Sequence, residues 1–364
     1  MDALADFFNQ VDAVLISSHA HISFLTGYSN FSKDEREAYL LITPAQKYIL
    51  TDARYSEAVK SLDNFQLLEI SGQTSMKDHL EKMIKKHQIK VIGVEGYSLT
   101  VEELHRFEKV VDQIKEINIG DIRSIKTDSE IQKITQACRL GDKVFKLLLK
   151  KIRPGLTEKK LAQMLELYVK KEEVDLSFET IVAFGAHSSV PHHQTGNTKL
   201  EREGEFILLD FGTRVENYCS DMTRTIFLGK ASAKQRKIYQ TVLAAQGKAA
   251  EFLNRQIKAG KKVLGKEVDQ IARDYIIAEG YPSIPHSLGH GIGLQVHESP
   301  RLGPSSDDEL VKGMVFSIEP GIYIPGFGGV RIEDLYVIEE KGLKQLTASS
   351  KELIELGTSS IDSS

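Results

Sequence analysis

Residues 289–300 read GHGIGLQVHESP and carry His290 and His297 seven positions apart, with His286 four positions before the first. Imidazole titrates near neutrality and ligates borderline metals, so this strip suits acid–base or metal chemistry. A glycine-rich turn that happens to hold imidazoles is the plainer alternative. Four carboxylates elsewhere bear on the choice. Asp210 closes the apolar run EFILLDFG, and Asp221 follows eleven residues later in NYCSDMTRT, after a turn at 214–217. An antiparallel hairpin would set these two side by side. Glu319 follows the apolar run MVFSI, and Glu333 stands inside GVRIEDLYVI. A carboxylate within a hydrophobic strand is costly unless it is paired or binds a cation, and two that face each other repel. Any one alone reads as a solvated residue or half of a salt bridge, with Arg331 and Lys312 on hand for Glu333 and Glu319. Asp334 takes that plain reading, because it points away from Glu333 on a regular strand. As a set, Asp210, Asp221, Glu319, Glu333 and His290 suit two divalent ions such as Mn²⁺, Co²⁺ or Zn²⁺, about 4 Å apart.

The first third of the chain must be a scaffold of another kind. Short β-branched and aliphatic runs at 11–17, 39–43, 47–52, 65–70 and 90–95 read as strands. Amphipathic stretches at 75–87 and 100–110 read as helices. No strand leads into GxGxxG or GxxxxGK, so no phosphate-binding loop is expected. The sequence TDSE at 127–130 is a capping box that opens a long helix. It sets the expected boundary between an N-terminal α/β domain, 1–125, and an α+β catalytic domain, 126–364. In the second, helices are expected at about 157–171, 233–256 and 266–279, and strands at 205–212, 217–228, 314–320 and 329–338.

Composition narrows the partners. The 364 residues are 41% hydrophobic and 27% charged, with a net charge of −4. Neither value points to nucleic acid or to an anionic membrane surface. No apolar run approaches the ~20 residues that span a bilayer, and the first residues lack a signal-peptide pattern. With only two cysteines, Cys138 and Cys219, far apart in sequence, a reducing, cytoplasmic setting is expected. Both cysteines read as packing residues.

The set DFG at Asp210, SDMTRT at Asp221, GHGIG at His290, SIEPGIY at Glu319 and VRIED at Glu333 resembles the metallopeptidase family of methionine aminopeptidase, aminopeptidase P and prolidase. The resemblance covers essentially the whole chain. FLTGYSN at 24–30 and ILTDARY at 49–55 are similar to the N-terminal domain of the proline-specific members. The family implies a creatinase-like α/β domain followed by a pita-bread (creatinase/aminopeptidase) catalytic domain. It also implies hydrolysis of the peptide bond before proline, by an Xaa-Pro aminopeptidase or an Xaa-Pro dipeptidase, with a metal-bridging hydroxide as nucleophile. Two divalent ions per subunit, usually Mn²⁺, would be held by Asp210, Asp221, His290, Glu319 and Glu333, with Asp221 and Glu333 bridging. Glu319 would also carry the proton to the leaving nitrogen. His192 and His297 match histidines that donate to the intermediate, His286 one that lines the proline pocket, and Arg331 an arginine that pairs with the site carboxylates. At the first of these, the Pro-His dipeptide favours His192, while the family's spacing before the first aspartate favours His193. The substrates implied are peptides with proline second, and the assembly a homodimer. The competing reading is a member that kept the fold as a non-peptidase hydrolase or binding protein; retention of all five ligand positions argues against it.

Overall fold

The computed structural model describes residues 4–32, 34–201 and 203–357, and its contacts divide the chain into two units that meet between Arg123 and Ser124.

The first unit is a six-stranded sheet with helices. Its elements are β1 (Ala13–Ile16), α1 (His19–Thr26), β2 (Ala38–Ile42), β3 (Lys47–Asp52), α2 (Ala53–Val59), β4 (Gln66–Ile70), α3 (Met76–His87), β5 (Val91–Val94), α4 (Val101–Phe107) and β6 (Gln113–Glu116), with the short helix α5 (Gly120–Ser124) at its end. The sheet order is β4-β3-β2-β1-β5-β6. β1 and β2 are buried along their whole length, which explains why they read as unbroken apolar runs rather than alternating ones. Ser75 and Thr100 each complete a capping box at the start of a helix, with Asp78 and Glu103. The sequence reading missed α1, α2 and β6. Helices α1 and α2 are eight and seven residues long, too short for a 3.6-residue period to declare itself.

The second unit opens with α6 (Asp128–Leu149), capped by Thr127 and Glu130. There follow α7 (Glu158–Lys171), β7 (Asp175–Leu176), β8 (Ile181–Phe184), β9 (Glu205–Phe211), β10 (Thr213–Val215), β11 (Tyr218–Cys219), β12 (Met222–Leu228), α8 (Ala233–Lys258) and α9 (Gly265–Ala278). The chain then runs through β13 (Gly289–Gly291), β14 (Glu298–Leu302), β15 (Val315–Ile318), β16 (Gly321–Ile324), β17 (Gly328–Arg331), β18 (Asp334–Glu339), β19 (Gly342–Gln345) and β20 (Glu355–Leu356). Two helix-backed sheets result. Val144, Phe145 and Leu148 of α6 and Leu161 and Leu165 of α7 pack against Val182, Leu209 and Ile226 of the sheet β20-β12-β9-β8. Val242, Ala245 and Ala249 of α8 and Val268 and Ala272 of α9 pack against Phe316, Tyr336 and Ile338 of the sheet β14-β13-β15-β18-β19. This is the pita-bread arrangement that the sequence resemblance implied.

Two of the expected strands are not continuous. The run 217–228 breaks at Ser220 and Asp221, and the run 329–338 breaks at Ile332 and Glu333; Glu319 likewise lies just past the end of β15. Only Asp210 occupies a ladder position, paired with Thr223 rather than with Asp221. Asp221, two residues before Thr223, is therefore its diagonal neighbour on the same face. A carboxylate that must converge on a common point with others cannot keep strict period-two alternation, and the backbone yields where three of the four sit.

Candidate metal centre

One cavity of about 820 Å³ opens in the second unit, and His192, Asp210, Asp221, His286, His290, His297, Glu319, Arg331 and Glu333 all line it. The structure thus brings every expected site residue together. The remaining walls are Phe178, Ile181, Pro191, Ser287, Gly289, Val296, Glu298, Ser299 and Arg301.

The floor is acidic and buried. Ligand atoms of Asp221, His290 and Glu333 lie within 4.8 Å of one another. Glu333 accepts a 2.7 Å bond from the Thr223 hydroxyl through one oxygen. Its Oε1, Asp221 Oδ1 and Asp210 Oδ1 are buried without a hydrogen-bond partner. Burial and then the neighbouring charges of Glu319 and Asp210 push Glu333 up to about 8. Burial, then Glu333, Asp210 and Glu319, drive Asp221 well above the carboxylate range. Burial also raises Asp210, against the opposing pull of Arg331. Three buried, mutually repelling carboxylates with orphaned oxygens are a donor set suited to a cation. The residues present fit a pair of divalent ions.

His290 is prepared for the same task. Its Nδ1 faces the Gly291 carbonyl at 3.2 Å and donates to it, which turns Nε2 toward Glu319 at 3.2 Å and Asp221 at 3.8 Å. A backbone carbonyl that fixes the tautomer is the usual support of a metal-ligating histidine. Without an ion, burial would lower the His290 pKa, but the bond to Glu319 and the nearby carboxylates outweigh it and hold it at about 9. Glu319 responds in the opposite sense: burial would raise it, and His290 holds it down at about 2. The two form an ion pair that a metal would replace.

Arg331 pairs with Asp210 at 2.5 Å, Nη2 to Oδ2, and its Nε donates to Thr223 Oγ1. The plainer salt-bridge alternative is not realised: Arg331 pairs with Asp210, and Lys312 with the exposed Glu340. Arg331 Nη1 also donates to the Tyr323 hydroxyl at 3.0 Å. That hydroxyl donates in turn to His286 Nε2 at 2.8 Å, because His286 Nδ1 is committed to donating to the Ser287 carbonyl. Burial lowers the His286 pKa, which keeps the ring neutral. His192 and His297 are exposed at the mouth, with the His297 ring edge-on to His290 at 4.2 Å. His192 and His193 part in space: His192 lines the cavity, and His193 Nε2 turns to Glu158 at 3.0 Å.

Asp334 is not the solvated residue expected of it. It is fully buried and takes bonds from Arg224, Gln246 and Thr347, with Lys351 3.0 Å away. Arg224, itself 1% exposed, also donates to the carbonyls of Thr223, Ser349, Ser350 and Glu333. Two glycines of the histidine strip let neighbouring backbone approach closely. A Cβ on Gly289 would fall 1.9 Å from the Ser317 carbonyl oxygen, and one on Gly291 2.1 Å from that of Ser299. Their smallness admits neighbouring backbone.

Sequence reasoning overlooked Tyr323, Thr223 and Arg301. The first two lay inside quoted motifs, SIEPGIY and SDMTRT. Period-two alternation from Asp221 reaches Thr223; nothing local marks Arg301.

Known proteins share this fold. Residues 132–340 match the model of metallopeptidase family M24, and residues 8–125 that of the creatinase/prolidase N-terminal domain. The chain belongs to the M24 metallopeptidases and carries their creatinase-type N-terminal domain. An Xaa-Pro dipeptidase of Pyrococcus horikoshii is 36% identical, over 95% of this chain and 95% of its own. The solved structure of an Xaa-Pro dipeptidase from Bacillus anthracis superposes with a TM-score of 0.89 at 35% identity, covering 98% of each chain. An X-Pro aminopeptidase from Thermotoga maritima gives 0.83 at 33% identity, over 95% of this chain and 98% of its own. Membership implies divalent metal ions. Among the described residues, no helix is long and apolar enough to cross a membrane.

Proposed function

We propose that the protein hydrolyses the peptide bond before proline, with Xaa-Pro dipeptides as preferred substrates and two Mn²⁺ ions on Asp210, Asp221, His290, Glu319 and Glu333. The observation that carries this reading is the group of buried, mutually repelling carboxylates with orphaned oxygens. The ions, when bound, would polarise the scissile carbonyl and acidify water. The chain's own residues do the rest. Asp221 and Glu333 would both hold the ions, and Thr223 fixes one Glu333 oxygen and leaves the other free for them. Glu319, braced by the Ser317 hydroxyl at 3.2 Å, takes the proton from the attacking water and passes it to the prolyl nitrogen. His192 and His297, at the mouth, donate to the oxygen that gains charge as the carbonyl is attacked. Neutral His286, held by Tyr323, offers a flat face to the proline ring.

Arg301 favours the dipeptide over longer substrates. It lines the cavity, and its Nε is tied to Ser287 Oγ at 2.9 Å, which leaves the outer edge of the guanidinium for a free carboxylate. Relatives named as Xaa-Pro dipeptidases support the same choice. The family also supports a homodimer working in the cytoplasm, which sedimentation and fractionation test.

The experiment is to strip the protein with chelator, restore Mn²⁺, and assay Xaa-Pro dipeptides, Xaa-Pro-Yaa tripeptides and a Met-Ala peptide. Cleavage of none of them refutes the peptidase reading. Cleavage of tripeptides alone replaces the dipeptidase with an aminopeptidase. Arg301→Met should cost dipeptide hydrolysis about tenfold or more and spare the tripeptide, a loss near that of one charged hydrogen bond.

A further inference from the structure

We propose that Glu158, His187 and His193 form a separate site for a borderline divalent ion such as Zn²⁺, behind the loop that presents His192. The three belong to different elements: Glu158 is the first residue of α7, His187 lies in the 3-10 turn Gly185–Ser189, and His193 in the loop that follows. Their ligand atoms lie within 4.8 Å of one another. Glu158 is completely buried. Its Oε1 faces His187 Nδ1 at 2.8 Å, and its Oε2 faces His193 Nε2 at 3.0 Å. The remaining bonds come from the backbone N–H of Phe184, at 2.9 Å, and of Gly196, at 3.0 Å.

Every group that touches this carboxylate is therefore a peptide N–H or an imidazole, and none carries a permanent positive charge. A fully buried carboxylate is ordinarily compensated by a cation or a metal. Two imidazoles and a carboxylate are a donor set for a borderline divalent ion, and water completes a tetrahedron. The two peptide N–H groups already orient the carboxylate, as groups behind a metal ligand do. The rings lie 4.5 Å apart and 31° from parallel, and one nitrogen of each faces Glu158. His187 is 43% exposed and gives an ion a route in. For metal–ligand bonds of about 2.1 Å in a tetrahedron, nitrogen and oxygen ligands stand about 3.4 Å apart. Both imidazole–carboxylate distances are shorter than this, so an ion entering between the groups would push the imidazoles outward. The bound ion would pin residues 184–196 at both ends and so hold His192, which adjoins the ligand His193, at the cavity.

This site is independent of the peptidase reading, and its test avoids activity. An Asp221→Asn/Glu333→Gln protein, in which the centre is disabled, is dialysed against ZnCl₂ and its metal counted by mass spectrometry. Adding His187→Ala should remove about one Zn²⁺ per chain, and His193→Gln should do the same. Wild-type protein should likewise bind about one ion more than His187→Ala. Because His187 is half-exposed, its removal spares the core, which circular dichroism checks. Equal zinc counts with and without His187 would overturn the proposal and leave the cluster a hydrogen-bonded peg for the loop.

Discussion

Glu333 and Asp334 are neighbours in sequence, both buried, and opposite in circumstance. Asp334, on the reverse face, is surrounded by Arg224, Lys351, Gln246 and Thr347. Glu333, on the cavity face, has one hydroxyl, an orphaned oxygen, and other carboxylates for company. Folding satisfies the first within the chain. It leaves the second for something from outside. Buried charge thus serves stability where donors surround it and function where they are withheld.

The sharpest way to test that contrast is to neutralise one carboxylate from each side. Asp221→Asn should lose metal and lower kcat by at least about 10³-fold, more than the loss of a single polar donor. Retention of two ions per chain would show that the bridging assignment is wrong. In the chelated state the same variant should unfold no more easily than wild type, since it removes repulsion. Asp334→Asn should do the reverse. Breaking a buried pair costs about 3–5 kcal/mol, read as a lower denaturation midpoint, while the metal count per folded chain stays the same.

Acidity gives a smaller and more diagnostic effect. In the chelated protein, Glu333 sits at about 8 and His290 at about 9. Both values are raised above their unfolded ones, so the folded state holds extra protons. Stability associated with Glu333 is full below its unfolded value near 4.5 and is lost as the pH rises through about 8; that of His290 is lost from about 6.5 through 9. The melting temperature of chelated protein should therefore fall between pH 6 and pH 9. Protein loaded with Mn²⁺ should fall less, and Glu333→Gln should flatten the chelated curve. A chelated curve as flat as the loaded one would mean that the carboxylates do not repel as described. The least effect is expected of Tyr323→Phe, which unties His286 from Arg331. One hydrogen bond is worth about 1 kcal/mol, so kcat/KM for Xaa-Pro dipeptides should drop about fivefold with metal content unchanged.

Much of the centre was legible because its chemistry violates a pattern. A carboxylate after FILL or MVFSI breaks the apolar rule of a buried strand, and several such breaks point to one cause. What stayed hidden was whatever obeys the pattern. Asp334 looked like a surface residue, because burial by an arginine from another strand leaves no trace near it in sequence. Arg224 inside MTRTIFL, Tyr323 and Arg301 look ordinary for the same reason. The strand interruptions at Asp221 and Glu333 were invisible too, since the residues around them keep the apolar character of strands. The long helix α6 is readable from its cap and apolar stripe, whereas α1 and α2 of the first unit hold too few turns to show a period.

The guanidinium of Arg224 has a further consequence. It binds Asp334 and the Glu333 carbonyl on one side and the carbonyls of Ser349 and Ser350 on the other. Asp142 receives the amides of Ala348 and Ser349, and β20 runs parallel to β12. Residues 347–356 therefore behave as a strap cinched across the back of the sheets. A protease cut there would slacken the backbone beneath Glu333 without altering any atom that faces the cavity.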